Sequence, residues 1–161
     1  LITGWRGKGK TTLFHKLIKF ICPADTTLPG LTSVYIPKTG VMLRDNTTKS
    51  EAAVGLYCPE KAEIGKNMIP YSDGFYTVGI PAINDVLDSD SQWFSMDEIG
   101  FLESNETQFQ QALLTAMESR NLIAVVRKTE KGAVPFIDKI LSRDDAFVID
   151  LDKLDNADYW E

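Results

Sequence analysis

Eight consecutive residues, Gly4-Trp5-Arg6-Gly7-Lys8-Gly9-Lys10-Thr11, carry the spacing G-x-x-x-x-G-K-[ST] at every fixed position. Each fixed position has a chemical reason. Glycines let the backbone curl until several N–H groups point at one centre, an anion nest. A helix beginning near Lys10 adds the positive end of its dipole. Lys10 reaches the outer phosphate oxygens as a point charge, and the Thr11 hydroxyl can ligate the accompanying Mg²⁺. The match follows an apolar strand end and opens an amphipathic segment, as the chemistry requires. It predicts a site for a nucleoside triphosphate such as ATP or GTP, with Gly4, Trp5, Arg6, Gly7, Lys8, Gly9, Lys10 and Thr11 around the phosphates. Trp5 and Arg6 fill variable positions. Trp5 either packs over the loop or stacks on the ligand; Arg6 either approaches phosphate or is solvated. His15, one turn after Thr11, reads as a helix-surface histidine, and Lys16 and Lys19 as solvated lysines of that helix.

Such a cradle needs a second anchor for its cation, usually an aspartate at the end of an apolar strand. Trp93-Phe94-Ser95-Met96-Asp97-Glu98 supplies it: Asp97 would hold Mg²⁺ directly or through water. Glu98 faces differently and could accept a proton from, or orient, an attacking water. The plainer alternative for the pair is an acidic cap on the following turn. Arg127 and Lys128 follow an apolar strand and would emerge beside the acidic one, near the terminal phosphate; the alternative is a basic surface turn running through Lys131. Arg143 reads as structural before it reads as a ligand contact. Glu103 either positions the Glu98 loop or starts the next helix, stabilised by its dipole.

The elements that must hold these groups follow from periodicity. Leu13, Leu17, Ile18 and Ile21 recur at helical spacing over Thr11–Ile21, with Pro23 as the stop. Val34–Ile36, Val41–Leu43 and Ala53–Tyr57, separated by polar turns, predict an antiparallel meander. Cys58–Asp73, with Pro59, Gly65 and Pro70, reads as a mobile loop. Beyond it the chain alternates. A strand is predicted at Phe75–Val78, then a helix opened by Pro81 with Ile83, Val86 and Leu87 on one face. After the acidic strand, Ser104 or Asn105 caps a helix carrying Phe109, Ala112, Leu113, Ala116 and Met117. A buried strand follows at Leu122–Val126, a helix at Pro135–Leu141 and a strand at Ala146–Ile149. Alternating βα units predict an α/β fold: a mostly parallel sheet flanked by helices, with ligand at the carboxyl ends of its strands.

Bulk properties narrow the function classes. The 161 residues suit one domain, 1–161, with a sizeable core. A formal net charge of −6 argues against a general nucleic-acid binder. No apolar run approaches the roughly 18 residues needed to span a membrane, and no signal-peptide pattern is visible. The two cysteines, Cys22 and Cys58, form no metal or disulfide framework and suggest reduced thiols in a cytoplasmic protein. The chain opens at Leu1 without methionine, so its first strand reads as truncated. A monomer or weak homo-oligomer is expected.

Several stretches together resemble the THEP1-type nucleoside-triphosphatases. These are Ile2-Thr3-Gly4 through Leu13, then Asp97-Glu98-Ile99-Gly100 followed by Phe101-Leu102-Glu103, then Val125-Val126-Arg127-Lys128 and Pro135-Phe136-Ile137-Asp138 through Ser142-Arg143. Gly30-Leu31-Thr32-Ser33 sits where that family begins a β-hairpin. The resemblance implies a RecA-like P-loop fold, a three-layer sandwich with an antiparallel insertion. It also implies slow Mg²⁺-dependent conversion of nucleoside triphosphate to diphosphate and phosphate with loose base preference. Carried over by position, Gly9, Lys10, Thr11 and Thr12 bind phosphate and Mg²⁺, Asp97 supports Mg²⁺, and Glu98 activates water. Trp5-Arg6 departs from the family's common Arg-Pro, and residues 45–73 match poorly. Two competing functions stand beside hydrolysis. One is a small nucleoside or nucleotide kinase, although Arg44 is the only arginine between Arg6 and Arg120, with Lys61 and Lys66 in the loop where a lid would need cations. The other is a slowly cycling nucleotide-dependent switch.

Overall fold

A computed structural model describes residues 1–22, 26–60 and 67–154. Its strands are β1 (Ile2–Thr3), β2 (Gly30–Ile36), β3 (Gly40–Asp45), β4 (Glu51–Tyr57), β5 (Met68–Pro70), β6 (Trp93–Ile99), β7 (Asn121–Val126) and β8 (Ile149–Asp150). The helices are α1 (Lys10–Ile21), α2 (Ile80–Asp88), α3 (Thr107–Ser119) and α4 (Pro135–Leu141). All eight strands join one sheet in the order β5-β4-β3-β2-β6-β7-β1-β8. The half from β2 to β8 is parallel, and β3, β4 and β5 extend it as an antiparallel meander from β2. Hydrogen-bonding geometry accounts for the split: helical crossovers return the chain in the same direction, whereas short polar turns reverse it.

Register assigns the faces. Ile2, Val125 and Asp97 are partners across β1, β7 and β6, so their side chains share one side of the sheet. There α1 inserts Phe14 among Ile2, Leu28, Ile123, Val125 and Leu151. The opposite face carries the larger core, in which Phe94, Met96, Ala124 and Val126 meet Ile83, Leu113 and Ile137 of α2, α3 and α4. The result is helix, sheet, helices: the expected three layers.

Four local expectations are corrected. Phe75–Val78 is not a strand but part of a widened helical turn, Phe75–Gly79, that runs into α2. Ser104 and Asn105 do not cap α3; both lie in a preceding 3₁₀ turn, Leu102–Asn105. There Gln110 Nε2 donates to the Glu103 and Ser104 carbonyls, at 2.6 and 3.0 Å. The last strand is Ile149–Asp150 rather than Ala146–Ile149, because β1, its only partner among the described residues, offers two residues to pair with. The segment Cys58–Asp73 contains β5, which lengthens the meander instead of leaving a loop throughout. Pro23, Lys61, Lys66 and the tail 155–161 lie outside the described residues.

Candidate active site

The cradle is built at the carboxyl end of β1. Gly7 and Gly9 take φ of 83° and 86°, left-handed values that only glycine adopts without strain, and they curl residues 4–9 before α1 begins at Lys10. Trp5, Arg6, Gly7, Lys8, Gly9, Thr11 and Thr12 are exposed, and Gly4 is buried. Lys10 is half-buried and folds back, its Nζ donating to the Gly4 and Trp5 carbonyls at 2.8 and 3.2 Å. The ammonium group thus already lies across the loop's opening turn.

Two strands away, β6 delivers the acidic pair. Along it Phe94 and Met96 face the larger core while Ser95 and Asp97 face α1. Strict alternation would send Ile99 to the α1 side as well. Instead the pairing with β7 skips Glu98, with Asp97 opposite Val125 and Ile99 opposite Val126, and Ile99 returns to the larger core. This bulge inserts Glu98 as a half-buried, unpaired residue at the strand's carboxyl end; the Asp97–Glu98 peptide is cis. The Asp97 carboxylate has no hydrogen bond or ion pair among the described residues. Burial, and then the Glu98 charge, push its carboxyl above the ordinary value, while His15 and Lys10 act in the opposite direction. Asp97 therefore lies within the electrostatic reach of the cradle lysine. Glu98 Oε1 accepts a hydrogen bond from Arg127 Nε at 2.8 Å.

Behind Glu98 sits Glu103, 2% exposed, whose Oε2 accepts the Gly100 N–H at 2.7 Å. Of the two roles open to it, the structure shows loop positioning: its carboxylate closes the turn that follows Asp97-Glu98. Burial pushes its carboxyl to about 7. Arg127 and Lys128 part company. Arg127 reaches Glu98, whereas the Lys128 Nζ is taken by Asp150 at 3.0 Å and Asp152 at 2.9 Å. Asp152 also accepts the Trp5 N–H at 2.9 Å, and Lys128 lies 5.9 Å from the centre of the Trp5 ring. The segment after β8 thus braces the entrance of the cradle.

A family profile described as NTPase matches residues 1–159.

The chain belongs to the THEP1-type NTPase family.

This NTPase is 26% identical over 158 residues to nucleoside-triphosphatase THEP1 of Thermotoga petrophila, which covers 95% of this chain and 83% of that protein. The crystal structure of THEP1 from Aquifex aeolicus matches with a TM-score of 0.70 at 20% identity, covering 93% of this chain and 87% of that one. The solution structure of a human cancer-related nucleoside triphosphatase matches with a TM-score of 0.68 at 18% identity, covering 92% and 86%. At these identities the two structures speak for the fold.

The donors of the NTPase site suit Mg²⁺. No group of three or more His, Cys, Asp or Glu side chains that could hold a metal ion occurs among the described residues. Mg²⁺ keeps most of its waters and takes one or two protein oxygens plus substrate phosphates. An aspartate with no other partner and a hydroxyl at the head of α1 fit that demand.

Sequence reasoning missed two features of the NTPase. His15 is exposed on α1 but lies within the electrostatic reach of Asp97; its i+4 spacing from Thr11 carried the signal, since both occupy one helix face. The Asp150–Asp152–Lys128 brace had no local signal at all. Arg143 is paired with Asp145, as its structural reading implies. Arg44 is paired with Glu51 across β3 and β4, so it is committed within the meander. Cys22 and Cys58 are unpaired thiols. No helix among the described residues is long and apolar enough to cross a membrane.

Proposed function

We propose that this NTPase hydrolyses nucleoside 5′-triphosphates, ATP and GTP among them, to nucleoside diphosphate and phosphate in a Mg²⁺-dependent reaction. The observation that carries the reading is the splitting of the acidic pair on β6. Asp97 faces α1 and the Lys10 charge, while the bulge leaves Glu98 unpaired and half-buried at the strand's carboxyl end. Backbone N–H groups of Gly7 to Thr12 and the Lys10 ammonium hold the β- and γ-phosphates. Thr11 and Asp97 would hold the cation. When bound, the cation would supply Lewis-acid polarisation of the substrate's phosphoryl group.

Glu98 takes one proton from water as the water oxygen bonds to the γ-phosphorus. The bond from that phosphorus to the β,γ-bridging oxygen breaks, and its electron pair leaves with the diphosphate. Arg127 supplies positive charge where the transition state spreads negative charge over the equatorial oxygens. Glu103 fixes the backbone turn through Gly100 and so limits where the Glu98 carboxylate can sit.

The test is inorganic phosphate release from ATP, GTP, CTP and UTP with Mg²⁺. The wild type is expected to act on several of them, and Lys10→Ala and Glu98→Gln each to lower turnover by about 100-fold or more. Nucleotide binding with no phosphate release by the wild type, or full turnover by Glu98→Gln, would remove Glu98 from the base role.

A further inference from the structure

We propose that Arg127 discriminates triphosphate from diphosphate by exchanging partners. With the γ-position empty it holds Glu98, and a bound γ-phosphate draws it away and releases the Glu98 carboxylate for water. The proposal rests on the reading of Glu98 as proton acceptor and adds a condition under which that acceptor is available.

Four observations carry it. Arg127 is the first residue after β7, and β7 lies between β1, which carries the cradle, and β6, which carries Glu98. Its side chain therefore stands between the two partners it would exchange. Its backbone is fixed, the Arg127 N–H donating to the Ile99 carbonyl at 2.8 Å, so the exchange needs only side-chain rotation. The guanidinium has five N–H donors, and among the described residues only Nε is used, on Glu98 Oε1 at 2.8 Å. The two terminal nitrogens are left as a fork for a phosphate, with the Phe101 ring 5.4 Å from the guanidinium carbon.

The pair is also easily broken. The Arg127 and Glu98 side chains are 49% and 32% exposed, and solvated pairs of this kind contribute little. A γ-phosphate offers more negative charge than a carboxylate and accepts the fork bidentately. The neighbouring cation cannot take over this role, because Lys128 is held by Asp150 and Asp152. In the free and diphosphate-bound states Glu98 is thus engaged by a guanidinium.

A binding cycle tests the exchange. Wild type, Glu98→Gln, Arg127→Ala and the double variant are titrated by calorimetry with Mg²⁺ and either a β,γ-imido triphosphate or a nucleoside diphosphate. With Arg127 present, Glu98→Gln frees the guanidinium and is expected to tighten the triphosphate analogue by about 5-fold. In the Arg127→Ala background the same change is expected to give less than about 2-fold, the gap being the coupling. For the diphosphate the coupling is expected to vanish. Equal Glu98→Gln effects with and without Arg127, or equal coupling for both nucleotides, would overturn the exchange. Arg127→Gln repeats the cycle with a polar side chain of similar reach. Because the analogue is not hydrolysed, the result is independent of whether Glu98 proves to be the base. That reading fails on phosphate release alone.

Discussion

Glu103 concentrates the residue-scale physics of this site. Its carboxyl is buried against the turn that carries Glu98, and burial outweighs the Gly100 hydrogen bond, lifting its pKa from 4.5 to about 7. Glu98 reinforces the rise and Arg127 opposes it. The folded protein therefore binds a proton more tightly here than the unfolded chain does. Stability falls as pH rises from about 4.5 to about 7 and levels off above, since the unfolded state releases that proton first. At about 1.4 kcal/mol per pKa unit, the loss is on the order of 3–4 kcal/mol. Glu103→Gln keeps an acceptor for the Gly100 N–H and removes the titration. Urea unfolding at pH 5 and pH 8 is expected to show the wild type losing stability relative to Glu103→Gln; parallel behaviour of the two would mean that the carboxyl ionises normally in the fold. The sequence offered Glu103 as a loop positioner or a helix-start acid. It could not choose, because the choice depends on burial in the folded chain, and burial is set by elements distant in sequence: a Cβ on Gly55 of β4 would lie 3.2 Å from Leu102, the residue beside Glu103.

At the scale of elements, the segment before α2 shows where periodicity misleads. Phe75-Tyr76-Thr77-Val78 has strand-forming residues throughout, and Pro81 reads as a helix start. Yet Phe75, Val78 and Gly79 are buried together with Ala82, Ile83 and Val86, a continuous helical stripe that a four-residue window conceals. The widened turn has a local reason. Pro81 has no N–H, and its ring crowds the carbonyl four residues back; the Ile80 N–H bonds instead to the Phe75 carbonyl, five residues back. The helical path also needs close approach to β4, since a Cβ on Gly74 would sit 2.3 Å from the Ala53 carbonyl oxygen. Gly74→Ala is expected to push this helix off β4 and lower stability by about 1–3 kcal/mol, the usual range for overpacking. Denaturant unfolding measures it, and an unchanged midpoint would mean that the helix tolerates a shift. The strands β6 and β7 and the helices α1, α3 and α4 were legible because each carries its own apolar pattern. The bulge at Glu98 was not legible, because it is a property of the pairing with β7 rather than of β6.

Across the whole molecule, Asp97 and the larger core lie on opposite faces of one sheet with β6 and β7 serving both, so core positions out on the meander are the ones to test apart from the site. The alternation of strands and helices made the layered α/β fold legible, along with the carboxyl-end location of the cradle, Asp97 and Arg127. The contacts from the far end of the chain were not legible: Asp152 reaches Trp5 across 147 residues of sequence, a distance that no local pattern spans. Leu43 lies on β3, fully buried under the α2 side, two strands from β6 and on the face opposite Asp97. Its replacement by alanine should act on stability alone: about 2–5 kcal/mol is lost, which for a chain of this size lowers Tm by roughly 4–20 °C. A β,γ-imido triphosphate with Mg²⁺ at about 100 times its Kd stabilises the folded state by about 2.7 kcal/mol, or roughly 5–10 °C. That increment depends on the cradle and not on the distant core. Scanning calorimetry is expected to show Leu43→Ala melting low but gaining the full nucleotide increment. Lys10→Ala is expected to melt near the wild type and gain little, because Lys10 is only half-buried and one of its two bonds is to an exposed loop carbonyl, that of Trp5. If Leu43→Ala lost the nucleotide increment as well, the meander would have to communicate with the cradle through β2 and β6, and the two halves of the sheet would form one functional unit rather than two.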